Sequence, residues 1–189
     1  MKRYNRIGIC GTHGIGKTTL LNALRSEAIF KNHTVCNEVT RTVKDLGVNI
    51  NTAGDDVTQR LIIQQHLVNI YMNEKMLTDR TAIDCLVYTK YLDRLYKIKP
   101  ETLEYVRTLA YAMLHEYDLI INMRPEFPLE GDGVRSIDPN FQKAIDNMFI
   151  EFFKNDNNGY VKSKPYNIIT VTGSVTNRVN QVLNYINND

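Results

Sequence analysis

The sequence predicts an α/β domain in which helices cover both faces of a parallel sheet. Short apolar segments alternate along the chain with longer segments of helical periodicity. A glycine-rich loop joins the first apolar segment directly to the first helical one. Since 189 residues is the usual size of a single domain, we expect one domain that spans 1–189.

Five short apolar segments are typical of buried strands. The first of them, RIGIC, is closed by Gly11 and runs straight into the glycine-rich loop. Helical patterns separate the strands, and this alternation favours parallel pairing. The predicted strands cover 6–10, 34–38, 75–79, 118–123 and 166–173.

Between and after these strands, apolar residues recur at helical spacing. Pro100 fits the first turn of one helix, while Asp138 and Pro139 fit the cap and first position of another. The predicted helices cover 18–28, 55–73, 83–96 and 100–116, with two more that begin at 139 and 175.

Charge, cysteine content and apolar segment length limit the class of protein. The formal net charge of +2 neither indicates nor excludes a nucleic-acid partner. The three cysteines lie far apart without a CxxC pair, which indicates reduced thiols in a cytoplasmic protein. No apolar segment approaches the ~18 residues that a membrane helix needs, so no membrane partner is expected.

The segment GTHGIGKT at 11–18 matches the phosphate-binding pattern GxxxxGK[ST]. Glycines let backbone N–H groups wrap around phosphate oxygens, and the helix that follows adds the positive end of its dipole. Lys17 is predicted to contact the β- and γ-phosphates, and the Thr18 hydroxyl to ligate Mg²⁺. The predicted triphosphate site consists of Gly11, Thr12, His13, Gly14, Ile15, Gly16, Lys17, Thr18 and Thr19.

A P-loop alone does not distinguish a motor, a switch and a kinase. No strand ends in the Asp-Glu pair with which many motor ATPases polarise water, and no Asn-Lys-x-Asp guanine reader follows an apolar strand. The third strand ends in Asp79-Arg80 and the fourth in Met123-Arg124. Elimination therefore favours a small kinase.

Four segments, GTHGIGKTTL, EVTR, TDRTAID and RPEFPLEGDGVRS, resemble the NadR-like branch of P-loop kinases. These are small nucleoside and nucleotide kinases, often encoded by bacteriophages and sometimes labelled AAA ATPases. The resemblance runs from Ile7 to about Val182 and implies a sheet order of 2-3-1-4-5. It also implies transfer of the γ-phosphoryl group of ATP, with Mg²⁺, to a hydroxyl or phosphate of a nucleoside- or nucleotide-like acceptor.

The resemblance implies roles for the residues at two strand ends. Glu38 ends the second strand, where related kinases place a carboxylate near the acceptor hydroxyl, and is the predicted general base. Asp79 is predicted to hold Mg²⁺ with Thr18 or to share the role of base. Its structural alternative is the N-cap of the following helix. Arg41 and Arg80 are predicted to contact the acceptor.

The resemblance also implies a mobile lid at 124–140. Arg124 and Arg135 flank its glycine-containing loop and are predicted to bring positive charge to the travelling phosphoryl group. By analogy with related kinases, the TGS segment at 172–174, with Gly173, is expected to line the adenine pocket.

Gln64 lies within an apolar stripe on the longest predicted helix, which consists of Val57, Leu61, Val68 and Tyr71. A buried amide must be hydrogen-bonded. Deoxyribonucleoside kinases read the base edge with a glutamine on the comparable helix, so Gln64 is the candidate for acceptor recognition. An amide bonded to a neighbouring helix or loop is the alternative.

Two other functions stay open. One is a kinase for a hydroxymethylated pyrimidine base within DNA, for which the lysines of KYLDRLYKIKP would supply a basic groove. The other is a nucleotide-binding switch or scaffold with little turnover. The sequence determines neither the acceptor nor the oligomeric state, whether monomer or homodimer.

Overall fold

The computed structural model describes residues 4–128, 138–154 and 167–189. Within these ranges, five strands form one parallel sheet in the order β2-β3-β1-β4-β5. The predicted order and direction are therefore confirmed. The strands are β1 (Arg6–Cys10), β2 (Thr34–Cys36), β3 (Met76–Asp79), β4 (Leu119–Met123) and β5 (Asn167–Val171).

Local signals in the sequence set several helix starts. The Asp55 and Ser174 side chains accept hydrogen bonds from backbone N–H groups at the starts of two helices, and Pro100 is the first residue of another. The helices are α1 (Lys17–Leu24), α2 (Val39–Lys44), α3 (Asp56–Met72), α4 (Ala82–Arg94), α5 (Pro100–Leu114), α6 (Pro139–Lys154) and α7 (Val175–Asn188).

Helices cover both faces of the sheet, as the alternation of strands and helices predicts. On one face, Ile7 and Ile9 belong to a cluster of buried side chains that includes residues of α1 and α7. On the other face, Met76 and Ile120 belong to a larger cluster with residues of α2 to α6. Every residue of β4 is buried, which agrees with its central apolar sequence.

Several segments differ from the prediction. The predicted strand 34–38 ends at Cys36, and Glu38 is the N-cap of α2 rather than the last residue of that strand. The first helix ends at Leu24 rather than at 28. A separate 3₁₀ turn at Ala28–Phe30 follows it and brings Phe30 into the core. The helix α2 was not expected. It has six residues, too few for a 3.6-residue periodicity to stand out.

The sheet brings the ends of β1 and β3 to one edge. Ile9 in β1 pairs with Asp79, the last residue of β3. The loop from Gly11 to Gly16 follows β1 at this edge, and Glu38 follows β2. The carboxyl ends of parallel strands, where ligands bind in such folds, therefore carry the predicted site residues.

Candidate active site

The loop between β1 and α1 encloses its own lysine. Gly16 caps α1 with a φ of 83°, and Gly11 has a φ of 133°, values that glycine adopts without strain. The Lys17 ammonium donates to the carbonyl oxygens of Gly11, at 2.9 Å, and Thr12, at 2.6 Å. Burial, followed by the charge of Arg80, lowers the pKa of Lys17 to about 8. Burial thus disfavours the charged form of Lys17, and a bound anion would favour it.

Thr18 and Asp79 bring two oxygen-bearing groups together. The Thr18 hydroxyl donates a hydrogen bond to Oδ2 of Asp79, which is fully buried. The Oδ1 atom of Asp79 has no hydrogen-bond partner among the described residues. The N-cap of α4 is Thr81, so the alternative reading of Asp79 as that cap is wrong. Hydroxyl and carboxylate oxygens are the ligands that Mg²⁺ prefers, and the pair fits such an ion.

Glu38 lies between two arginines. Its Oε1 accepts a hydrogen bond from Nε of Arg80 at 2.7 Å, and its Oε2 accepts one from Nε of Arg41 at 3.3 Å. Glu38 and Arg80 are both buried, so their charges attract each other with little screening by water. The structure thus brings together three residues that the sequence assigns to one acceptor site.

Asp84 links the same cluster to the P-loop. Its Oδ1 lies 3.6 Å from the Arg80 guanidinium and accepts a hydrogen bond from the Gly11 N–H at 3.3 Å. Its Oδ2 accepts from the Thr81 N–H at 2.8 Å, which completes a capping box at the start of α4. Asp84 therefore positions Arg80 and Gly11 relative to α4.

Arg80 has an unusual backbone conformation for a residue with a long side chain. Its φ is 82°, in the left-handed region that non-glycine residues rarely adopt. Backbone contacts hold this conformation, because the Arg80 N–H donates to Ile9 and the Arg80 carbonyl accepts from the Thr78 hydroxyl. Such strain is common at functional sites, and here it turns the Arg80 side chain toward Glu38.

A small cavity of about 20 Å³ lies next to this cluster. In this closed form it has room for about one water molecule. Its walls come from α2, the turn Asn51–Ala53, α3, the end of β3 and α4. The lining residues are Thr40, Asn51, Gln59, Ile62, His66, Arg80, Asp84, Cys85 and Tyr88.

Two polar residues on the inner face of α3, Gln59 and His66, line this cavity and were missed in the sequence. The Oε1 of Gln59 lies 2.9 Å from the Thr89 hydroxyl, within hydrogen-bond distance. The Nε2 of His66 has no hydrogen-bond partner among the described residues, although the side chain is buried. Burial and the nearby Arg80 charge lower the pKa of His66 to about 3, so its ring is neutral. Buried polar groups need partners, and a bound ligand could supply the one His66 lacks.

The predicted placement of Gln64 is wrong. Gln64 is exposed on the outer face of α3 and donates a hydrogen bond to the Tyr105 hydroxyl at 3.1 Å. The apolar stripe around it is also outward, since Val57, Val68 and Tyr71 are 57%, 50% and 59% exposed. The inner face carries the site's polar side chains among isoleucines, so the apolar periodicity indicated the wrong face.

A buried arginine on α7 supports the P-loop from the other side. Arg178 donates to the carbonyl oxygen of Ile15 at 3.0 Å and to the Glu126 carboxylate at 3.1 Å. Glu126 also accepts from the N–H of Gly173 at 2.7 Å, and the Arg178 guanidinium lies 5.4 Å from the Phe127 ring centroid. Arg178 was not predicted as a site residue. Its position beside Val179, within the apolar stripe of α7, is the feature of the sequence that indicates burial.

The side chain of His13 attaches the P-loop to neighbouring helices. The His13 ring stacks on Phe141 with the centroids 4.8 Å apart, and its Nδ1 is hydrogen-bonded to the Tyr88 hydroxyl at 3.0 Å. Gln142 donates to the His13 carbonyl oxygen at 2.9 Å. These contacts attach the P-loop to α4 and to the start of α6.

The two predicted lid arginines differ in what the structure describes. Arg124 forms a two-pronged ion pair with Asp146 of α6, at 2.8 Å and 2.6 Å. Arg135 lies outside the described residues, as does most of the predicted lid loop, 129–137. In the described part of the chain, Arg124 therefore contacts α6 rather than the phosphate loop.

A family model described as an AAA domain matches residues 6–178 of this chain. No curated protein matches this chain. Within the described ranges, no helix has the length and apolar character needed to cross a membrane. No group of three or more His, Cys, Asp and Glu side chains that could hold a metal ion occurs there either.

Solved structures confirm the fold. A NadR protein in complex with NR matches with a TM-score of 0.70 and 17% identity, over 96% of this chain and 52% of that one. A deoxyadenosine kinase from M. mycoides with the products dCMP and dCDP bound matches with a TM-score of 0.68 and 16% identity, over 97% and 98%. A NadR complex with NAD and AMP-PNP matches with a TM-score of 0.63 and 16% identity, over 98% and 49%. This chain thus spans about half of the NadR chains and nearly all of the deoxyadenosine kinase.

Proposed function

We propose that this chain, which belongs to the family described as an AAA domain, is an ATP- and Mg²⁺-dependent kinase. It transfers the γ-phosphoryl group to a hydroxyl or phosphate of a nucleoside- or nucleotide-like acceptor. One observation carries the proposal: the P-loop, with Lys17 and the Thr18–Asp79 pair, lies beside a small cavity lined by Arg80, which Glu38 holds. The folds of NadR and deoxyadenosine kinase support it.

On the donor side, Lys17 exchanges its two carbonyl contacts for the β- and γ-phosphates of ATP. The negative charge of the phosphates favours the protonated form of Lys17, which burial disfavours. Thr18 and Asp79 hold Mg²⁺, which when bound neutralises charge on the phosphate oxygens. Among the described residues, Thr18 and Asp79 are the proposed ligands, and so small a set would suit an ion that keeps several waters and phosphate oxygens.

On the acceptor side, Glu38 acts as general base. A hydroxyl oxygen of the acceptor forms a bond to the γ-phosphorus while the bond from that phosphorus to the bridging oxygen of ADP breaks. The hydroxyl proton passes to the Glu38 carboxylate, which Arg80 and Arg41 orient. Where the acceptor group is itself a phosphate oxygen that carries no proton, no general base is needed.

Gln59 and His66 take over the recognition role that the sequence assigned to Gln64. Both line the cavity, on the same face of α3 as Ile62. The neutral His66 ring has a free Nε2 position toward a ligand, and the Gln59 amide can both donate and accept hydrogen bonds. Amide and imidazole groups suit the edge of a heterocyclic base, so the acceptor's ring is proposed to lie between them.

The small volume of the cavity requires the acceptor to open it. Thr40 and Asn51 form its wall on the side of α2 and the following turn, so the segment 39–54 must move outward. A cavity this small favours a free small acceptor over a base held within duplex DNA. Gly173 and Arg178 are proposed to flank the ATP base, and Arg124 and Arg135 to approach the phosphates when the lid closes.

The test is a screen for ADP release that depends on the acceptor. Purified protein with ATP and Mg²⁺ is given nucleosides, nucleoside monophosphates, and duplexes that contain hydroxymethylated pyrimidines. The proposal expects at least one free nucleoside or nucleotide to raise the rate well above the acceptor-free rate. Stimulation by the modified duplex alone would favour the DNA kinase, and no stimulation by any acceptor would favour a switch or scaffold.

A further inference from the structure

A second groove lies between α4, α5 and α6, away from the acceptor cavity. Its volume is about 180 Å³. The α4 residues Cys85 and Tyr88 line the acceptor cavity, whereas Val87, Lys90 and Arg94 line the groove. Since these two sets lie on different sides of one helix, the groove is a separate site. Its other lining residues are Tyr111, Met148, Glu151 and Phe152.

The groove has one positive charge without a matching negative one. Arg94 forms an ion pair with Glu151 at 3.2 Å, and Arg107 forms one with Glu104. Lys90 is partly buried and has no ion pair or hydrogen bond within the described ranges. Burial and the nearby charges of Arg107 and Arg94 lower the pKa of Lys90, while Glu151 opposes them. An anion in the groove would relieve this repulsion.

The walls of the groove define the kind of anion. Val87, Met148 and Phe152 form an apolar floor, and the Tyr111 ring stacks with Phe152 at a centroid distance of 6.3 Å. The Lys90 ammonium offers three donors from above this floor. Phosphate groups accept several such donors at once, and an arginine guanidinium can bind them through two N–H groups. A small phosphate-bearing molecule matches this combination of charge and size.

We propose that the groove between α4, α5 and α6 binds a small phosphate-bearing anion, with the Lys90 ammonium as its main partner and Arg94 at its rim. The site is independent of the proposed kinase reaction. Because α4 also carries Tyr88 into the acceptor cavity, a molecule bound in the groove contacts the helix that forms one wall of that cavity.

Methionine methyl NMR tests the proposal without any assay of activity. Met148 lines the groove, whereas the backbone of Met123 lies against Gly11 of the P-loop. The two signals therefore report binding at the two places separately. Inorganic phosphate and phenyl phosphate are titrated into the ¹³C-methyl-methionine protein. We expect a saturable shift of the Met148 signal with both probes, and tighter binding of phenyl phosphate if the natural ligand is an organic phosphomonoester.

Three variants make this test specific. Lys90→Gln should weaken the binding seen at Met148 by about tenfold or more, which is the effect of about 1.4 kcal/mol. Lys90→Arg keeps the charge and should retain most of the affinity. Lys31→Gln removes one charge from an exposed position elsewhere and should change nothing. A Met148 signal that stays still, whatever Met123 does, overturns the proposal, as do equal affinities in Lys90→Gln and Lys31→Gln.

Discussion

The hydroxyl of Thr18 donates a hydrogen bond to the carboxylate of Asp79, and this contact joins the first turn of α1 to the end of β3. Because Thr81 caps α4, the carboxylate of Asp79 is not needed to start that helix. We therefore expect Asp79→Asn to leave the fold intact and to lower Mg²⁺ affinity or turnover by about 10–100-fold.

The measurement for Asp79 is the Mg²⁺ dependence of turnover, with ATP binding measured separately. Asp45→Asn is the matched control, since Asp45 is exposed at the end of α2. An Asp79→Asn protein with an unchanged Mg²⁺ response would show that this carboxylate does not hold the ion.

Glu38→Gln should lower kcat by about 10²–10⁴-fold, because the amide cannot take up the acceptor's proton. The amide oxygen can still accept the hydrogen bond from Arg80, so KM for the acceptor should change much less. Removing one charge of a buried pair costs about 3–5 kcal/mol of stability, so thermal melting must accompany the kinetics.

Glu38→Asp keeps the charge and should recover part of the activity that Glu38→Gln loses. Glu74→Gln, at an exposed position before β3, is the control. If Glu38→Gln stays folded and turns over a hydroxyl acceptor at the normal rate, Glu38 is not the general base.

Gln59 and Gln64 offer a direct comparison on one helix. Gln59→Leu should change the ratios of kcat/KM between acceptors that differ in the hydrogen-bonding groups of their bases, because Gln59 lines the cavity. Gln64→Leu should leave these ratios unchanged, because Gln64 is exposed and bonded to Tyr105. The reverse pattern would return the recognition role to Gln64.

His66 should make the stability of the protein sensitive to mild acid. Its pKa is about 3 in the folded protein against 6.5 for an ordinary histidine, so unfolding below pH 6.5 takes up a proton. The free energy of unfolding should therefore fall as the pH drops, by about 2 kcal/mol between pH 6.5 and pH 5 from this residue. Urea unfolding of wild type and His66→Asn checks this, with exposed His115→Asn as the control. Equal pH slopes in all three proteins would contradict it.

The sequence predicts the sheet and the phosphate loop well, because both depend on local patterns. RIGIC followed by GTHGIGKT has a strand, a glycine turn and a helix start within a few residues, and the structure has all three there. Glu38, two residues after β2, and Asp79, the last residue of β3, also lie at the same edge of the sheet, as the order of the strands requires.

The rest of the site depends on contacts between distant residues, and periodicity does not reveal them. On α3 the buried face carries Gln59 and His66 among Ile62, Ile63 and Ile70, while Val57, Val68 and Tyr71 are exposed. Arg178 is charged yet buried, because it bonds to Ile15 and Glu126 from other segments. The left-handed backbone of Arg80 could not be predicted, because glycine is the residue that usually marks such a conformation and this position is an arginine.

The most direct test of kinase activity follows the γ-phosphoryl group of ATP. ATP labelled with ³²P at the γ position is incubated with the protein, Mg²⁺ and the best acceptor from the screen, and the labelled products are separated. If the protein is a kinase, label appears in the acceptor, and Lys17→Ala transfers none. Label that appears only as inorganic phosphate, at a rate that the acceptor does not change, would contradict the assignment as a kinase.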